Sequence, residues 1–133
     1  MGQALGLTIQ ANQFDNESHP TNDNIVRAMS NKVGFIKRDS WIRFNAFDFG
    51  LGASSLTVEA SSSGTGGTLE MRQGSPNGTL IASLNTTPTG GWNTFVDFST
   101  NSLNGSTTGE QNLYLVFKNS SASLFDVKTF RFD

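Results

Sequence analysis

Groups able to do covalent chemistry are few in this 133-residue chain: eleven carboxylates, one histidine and no cysteine. The carboxylates are scattered, and no spacing marks a general acid with its partner. A glycosidase needs two of them held ~5–10 Å apart across a cleft. His19 stands in a polar stretch beside Pro20 and reads as a solvated loop residue. A single histidine without cysteine excludes the common zinc arrangements. Ser-His-Asp chemistry would rest on His19 alone, with no nucleophile-elbow motif to support it. Gly64-Thr65-Gly66-Gly67 has the outline of a phosphate loop but lacks the lysine and the helix such loops need. It reads as a turn. No catalytic residue is expected.

The elements that could position a binding site are more legible. Charged residues make up 15% of the chain and the net charge is −2. No basic stripe is present, so a nucleic-acid partner is not expected, since that affinity depends on clustered Lys and Arg. No block of like charges suggests a membrane surface, and no apolar run approaches the ~20 residues that span a bilayer. The N-terminus shows no charged region followed by an apolar stretch, so no leader is legible in it. Without cysteine there is no disulfide framework.

Fourteen Gly and long Ser/Thr/Asn stretches separate short runs that alternate apolar and polar, the pattern of an antiparallel sheet protein. Strands are predicted at Leu7–Phe14, Ile25–Met29, Lys32–Ile36, Trp41–Phe49 and Ser55–Ser61. Five more are predicted at Thr68–Gln73, Thr79–Leu84, Thr94–Ser99, Gln111–Lys118 and Lys128–Phe132. In Trp41–Phe49 the apolar phase changes: Ile42, Phe44 and Ala46 alternate, then Phe47 and Phe49 take over. A one-residue bulge would do that. Asn77-Gly78 is a hairpin signal, because both residues tolerate positive φ. Eleven Phe can fill one core, each burying roughly 150–250 Å². These features predict an all-β fold, a two-sheet antiparallel β-sandwich of the jelly-roll type, with residues 1–133 as a single module.

Several segments together resemble family 6 carbohydrate-binding modules. Asn31-Lys32-Val33-Gly34-Phe35-Ile36 followed by Trp41-Ile42-Arg43-Phe44 is similar to the family's "NVGYI…DWV.Y". Thr57-Val58-Glu59-Ala60-Ser61-Ser62 leading into Gly66-Gly67-Thr68-Leu69-Glu70-Met71-Arg72 is similar to "A.ASG…GGTIEIR". Gly74-Ser75-Pro76-Asn77-Gly78-Thr79-Leu80-Ile81 and Pro88-Thr89-Gly90-Gly91-Trp92-Asn93-Thr94-Phe95 match "SPTGTLI" and "TGGWQTW". Leu113–Phe117 and Phe125–Phe132 complete the pattern in the same order.

The resemblance implies a jelly roll without catalysis, attached to a secreted glycoside hydrolase that degrades polysaccharide. It implies two sugar sites, one in a loop cleft and one on the concave sheet face. In the cleft a sugar ring lies between two aromatics, matched here by Phe35 and Trp92, with an amide position matched by Asp126. Trp41 belongs to the second site. The residues support part of this. A pyranose has an apolar face and a rim of hydroxyls, which a flat aromatic wall with polar edge groups suits. Trp92 follows two glycines, a poor place to bury an indole. Trp41 stands in antiphase to Ile42 and Phe44 and should face outward if those are buried. Phe35, between Gly34 and Ile36, is open to either reading, wall or core. Three departures matter: Phe35 replaces the family's Tyr and so lacks a hydroxyl, Asp126 replaces Asn and can only accept hydrogen bonds, and Arg38-Asp39-Ser40 replaces a more usual "AGD".

A neutral β-glucan such as a β-1,3-linked chain is the expected ligand. Xylan, agar-type galactan chain ends, or a structural or adhesive sandwich with degenerate sites are the alternatives. The family also implies a structural calcium, with matching positions at Gln10, Asn12 and Lys128. An ammonium repels a divalent cation, so no metal and no other cofactor is expected at that site. The Lys128 amine is expected to take the ion's place and bond the Gln10 and Asn12 oxygens. Asp15, Glu17, Asp23 and Asp133 remain open as oxygen ligands elsewhere.

Overall fold

A computed structural model describes residues 4–18, 27–34, 39–104, 108–118 and 125–133. Among the described residues eleven strands are formed, all paired antiparallel. They are β1 (Ile9–Gln10), β2 (Asn16–Glu17), β3 (Arg27–Ala28), β4 (Val33–Gly34), β5 (Trp41–Asp48) and β6 (Leu56–Ser62). The series continues with β7 (Gly67–Gln73), β8 (Thr79–Thr86), β9 (Gly91–Thr100), β10 (Glu110–Lys118) and β11 (Asp126–Phe132). One sheet runs β3-β4-β11-β6-β9, with β1 also on β11; the other runs β2-β5-β10-β7-β8. The two-sheet antiparallel sandwich expected from the alternation is present.

The core lies between the sheets and is largely aromatic. Phe47, Phe49, Phe130 and Phe132 are fully buried. Their rings meet at centroid distances of 4.9 Å (Phe47–Phe49), 5.0 Å (Phe49–Phe132) and 5.8 Å (Phe47–Phe130), in the range where aromatic pairs attract. Phe117 packs on Phe125 at 5.6 Å. Leu113, Leu115 and Phe117 of β10 point into this core. Tyr114 and Val116, on the opposite face, are nearly as buried, because β10 is central in its sheet and has a strand on each side.

The phase change in β5 is a bulge. Leu113 pairs with Phe44 and Gln111 with Phe47, so β5 advances three residues while β10 advances two. Ala46 takes φ 50°, and its N–H donates to the Asn112 Oδ1 at 3.0 Å. Both Phe44 and Phe47 therefore face the core.

Several boundaries differ from expectation. The first predicted strand shrinks to Ile9–Gln10 and passes into a 3₁₀ turn at Ala11–Gln13, while β2 at Asn16–Glu17 carries no alternation long enough to announce it. The β7–β8 hairpin closes through Gly74–Gly78, not a two-residue Asn77-Gly78 turn. Gly74 takes the positive φ, 86°, and Gly78 is needed because a Cβ there would collide with the Gln73 carbonyl. The Gly64–Gly67 segment is a turn as expected: Ser62 Oγ accepts from both the Gly64 and Gly66 N–H groups at 3.2 Å.

Candidate functional site

Four strands bring polar and aromatic groups to one end of the first sheet. Val127 pairs with Val33 and with Ala60, Asp126 with Ser61, and Ser62 with Gly91. The short β4, the start of β11, the end of β6 and the start of β9 thus lie side by side. Here β9 departs from the ladder: Ser62 pairs with Gly91 and Ala60 with Val96, so five steps of β9 oppose two of β6. The extra residues push Trp92 through Phe95 out of register, a bulge of more than one residue that re-aims side chains. Trp92 is 38% exposed, as its place behind Gly90-Gly91 led us to expect.

The exposed indole rests on a buried polar support. The Trp92 carbonyl accepts from the Lys32 Nζ at 2.8 Å and from the Ser61 Oγ at 2.7 Å. The same ammonium donates to the Asn93 Oδ1 at 3.1 Å and pairs with the Asp126 Oδ2 at 2.8 Å. Lys32 is 5% and Asp126 7% exposed. Burial pushes the Asp126 carboxyl above the usual aspartate range, and the hydrogen bond and charge of Lys32 bring it only part of the way back. Gly34 closes the floor, since a Cβ there would stand 3.4 Å from the Asp126 Oδ1 and 2.8 Å from the Met29 Sδ. The Trp92 backbone and the Asp126 carboxylate are therefore brought to one ammonium. Phe35, which follows Gly34, lies outside the described residues.

Trp41 stands elsewhere, on β5 of the second sheet. Ile42 and Phe44 are buried, so Trp41 points to the outer side, where it is half-buried. Its indole meets Tyr114 edge to face, with centroids 5.1 Å apart, and the Arg43 guanidinium carbon lies 5.9 Å from the same ring. Tyr114 lies between Arg43 and Arg72 in register, and Val116 between Trp41 and Glu70. This polar and aromatic face is separate from the β9 bulge.

Sequence reasoning missed Lys32, Ser61, Asn93 and Tyr114. Alternation around buried Val33 would send Lys32 to solvent. The available signal was chemical: an acidic residue at a position expected to be an amide, in a cleft, requires a cation.

The calcium expectation is corrected in one respect. Lys128 does not bond Gln10 or Asn12; its Nζ lies 5.1 Å from the Phe95 ring centroid. The reason is a further bulge, because Val127 pairs with Ala60 and Thr129 with Glu59, leaving Lys128 as the extra residue. Asn12 instead donates its amide to the Met29 carbonyl at 2.8 Å, and its Oδ1 is buried without a hydrogen-bond partner among the described residues. One orphaned amide oxygen is a poor fit to a calcium site, which needs six to eight oxygens, carboxylates among them. Among the described residues no group of three or more His, Cys, Asp or Glu could hold a metal.

The sequence profile of carbohydrate binding module (family 6) matches residues 10–133. The chain belongs to this family. As a family 6 module it binds carbohydrate and carries no catalysis of its own. The module superposes with a TM-score of 0.82 on the crystal structure of a family 6 module from Clostridium cellulolyticum in complex with xylose. The two are 31% identical over 95% of each chain. A β-1,3-glucan-binding family 6 module of Bacillus halodurans gives a TM-score of 0.80 at 31% identity, over 94% of this chain and 93% of that one. An arabinoxylan arabinofuranohydrolase of Paenibacillus polymyxa is 35% identical over 73% of this chain, which spans only 15% of that protein.

Proposed function

We propose that this module binds a neutral β-linked polysaccharide, a β-1,3-glucan first among them, on the β9 bulge. In doing so it holds an attached, secreted glycoside hydrolase on its substrate. The observation that carries the reading is the Trp92 indole: exposed in a bulge while its own carbonyl is anchored by two buried donors. A fixed aromatic wall suits the apolar face of a pyranose, and stacking against a rigid wall costs little ordering. Asn93 and Asp126 supply polar edge groups beside it. The Asp126 carboxylate accepts hydroxyl hydrogens, whereas an acidic sugar would bring a second negative charge to a chain of net charge −2. The likeness to a β-1,3-glucan-binding module over nearly the whole chain supports the choice of glucan.

Xylan is the second reading, favoured by the xylose-bound relative and by the arabinoxylan-acting one. Affinity electrophoresis in gels containing a β-1,3-glucan, a xylan or an agar-type galactan separates the readings. Strongest retardation by the β-1,3-glucan is expected. Retardation by xylan alone moves the assignment to the second reading. Unaltered mobility in every gel would contradict both and leave a structural or adhesive sandwich with degenerate sites.

A further inference from the structure

We infer that Lys32 is a positioning residue for the sugar-binding platform, an inference that rests on the β9 bulge being the binding site. An ammonium has three hydrogens and no acceptor. Here all three have a partner: the Trp92 carbonyl at 2.8 Å, the Asn93 Oδ1 at 3.1 Å and the Asp126 Oδ2 at 2.8 Å. The partners come from two elements, the bulge of β9 and the first residue of β11, while Lys32 itself leads into β4. The same amine lies 6.0 Å from the Phe95 ring centroid, at the far end of the bulge.

Trp92 and Asn93 fall between the paired residues Gly91 and Val96, so the β6–β9 register does not fix their orientation. The Lys32 ammonium holds both of them, with the Ser61 hydroxyl as a second donor to the Trp92 carbonyl alone. A buried charge strongly favours full coordination, and any displacement of the Trp92 carbonyl, the Asn93 amide or the Asp126 carboxylate would leave that charge undersatisfied. The Trp92 backbone that carries the indole, the Asn93 amide and the Asp126 carboxylate are therefore set relative to one another before sugar arrives. Without this contact their ordering would fall on the binding step, and affinity would drop by roughly 10-fold or more, as expected for immobilising two side chains.

The test uses Lys32→Met combined with Asp126→Asn, which removes both charges and leaves neither buried alone. The chain has two tryptophans, so a Trp41→Phe background isolates the Trp92 fluorescence. In that background the double substitution is expected to raise acrylamide quenching and lower the anisotropy of Trp92 without ligand. It should also weaken binding of β-1,3-linked glucohexaose by roughly 10-fold or more relative to Asp126→Asn alone, which carries the same change at the sugar edge. Unchanged quenching and affinity in a folded variant overturn the role of Lys32 while leaving the site in place. Undiminished binding by Trp92→Ala overturns the site itself, and the ligand-free fluorescence still reports on Lys32. Should the double variant fail to fold, ¹⁵Nζ spectra of the native chain decide. A slowly exchanging Lys32 ammonium signal that shifts on adding the hexaose supports the inference; a fast-exchanging one overturns it.

Discussion

Asp126 is where burial and charge work against each other. Its carboxyl binds a proton more readily in the folded chain than in the unfolded one, because desolvation outweighs the pull of Lys32. The group's stabilising contribution is therefore fully present below the unfolded value of about 3.9 and is lost as pH rises through the raised folded value. Asp126→Asn removes that titration. Its melting temperature minus that of the native chain is therefore predicted to increase as pH rises from about 3.5 to 7, by thermal melting in a constant ionic strength series. A difference that stays flat or falls would mean that the ion pair dominates over burial. Trp92 was legible from two glycines ahead of it, because backbone that must turn sharply seldom buries an indole. Lys32 was not, because strand alternation predicts where a Cβ points and says nothing of where a long stem can reach.

Bulges in β9 and β11 decide which side chains form the site, and neither was legible, unlike the one in β5. In β5 the apolar phase changes sign across Asn45 and Ala46, so the extra residue could be read directly. In β9 the displaced segment Trp92–Phe95 is itself strand-like, and the displacement shows only against the Ala60–Ser62 partner. The β11 bulge, which turns Lys128 toward Phe95, is invisible for the same reason: register belongs to two strands, not one. The β5 bulge also stores strain, since Ala46 holds φ 50°, a left-handed conformation that costs an L-residue ~1–2 kcal/mol. Ala46→Gly relieves this at some cost in chain entropy. It is predicted to stabilise the module by ~0.5–1 kcal/mol, read as an equilibrium urea midpoint shift at constant m-value. A loss of stability would show that the Ala46 methyl makes a contact worth more than the strain.

Across the whole molecule, the eleven phenylalanines and the alternating runs led to the sandwich, because burying aromatic area between two sheets is the solution such a composition allows. The expected calcium position is a whole-molecule matter too, since it would tie the first strand to the last. With a Gln and an Asn as the acceptors there, and the Lys128 amine on Phe95, we expect no such tie. EDTA and millimolar calcium should leave the melting temperature unchanged within about 1 °C. A calcium-dependent rise of several degrees would show that oxygens outside the described set complete a site. The central claim, that an exposed indole on the β9 bulge grips the sugar, is tested most directly by isothermal titration of native chain and Trp92→Ala with β-1,3-glucan oligosaccharide. Circular dichroism on both would establish that each is folded. The account predicts loss of ~2 kcal/mol or more of binding free energy, the size expected of an anchor side chain, with the fold intact. Binding by Trp92→Ala as tight as that of the native chain would contradict it.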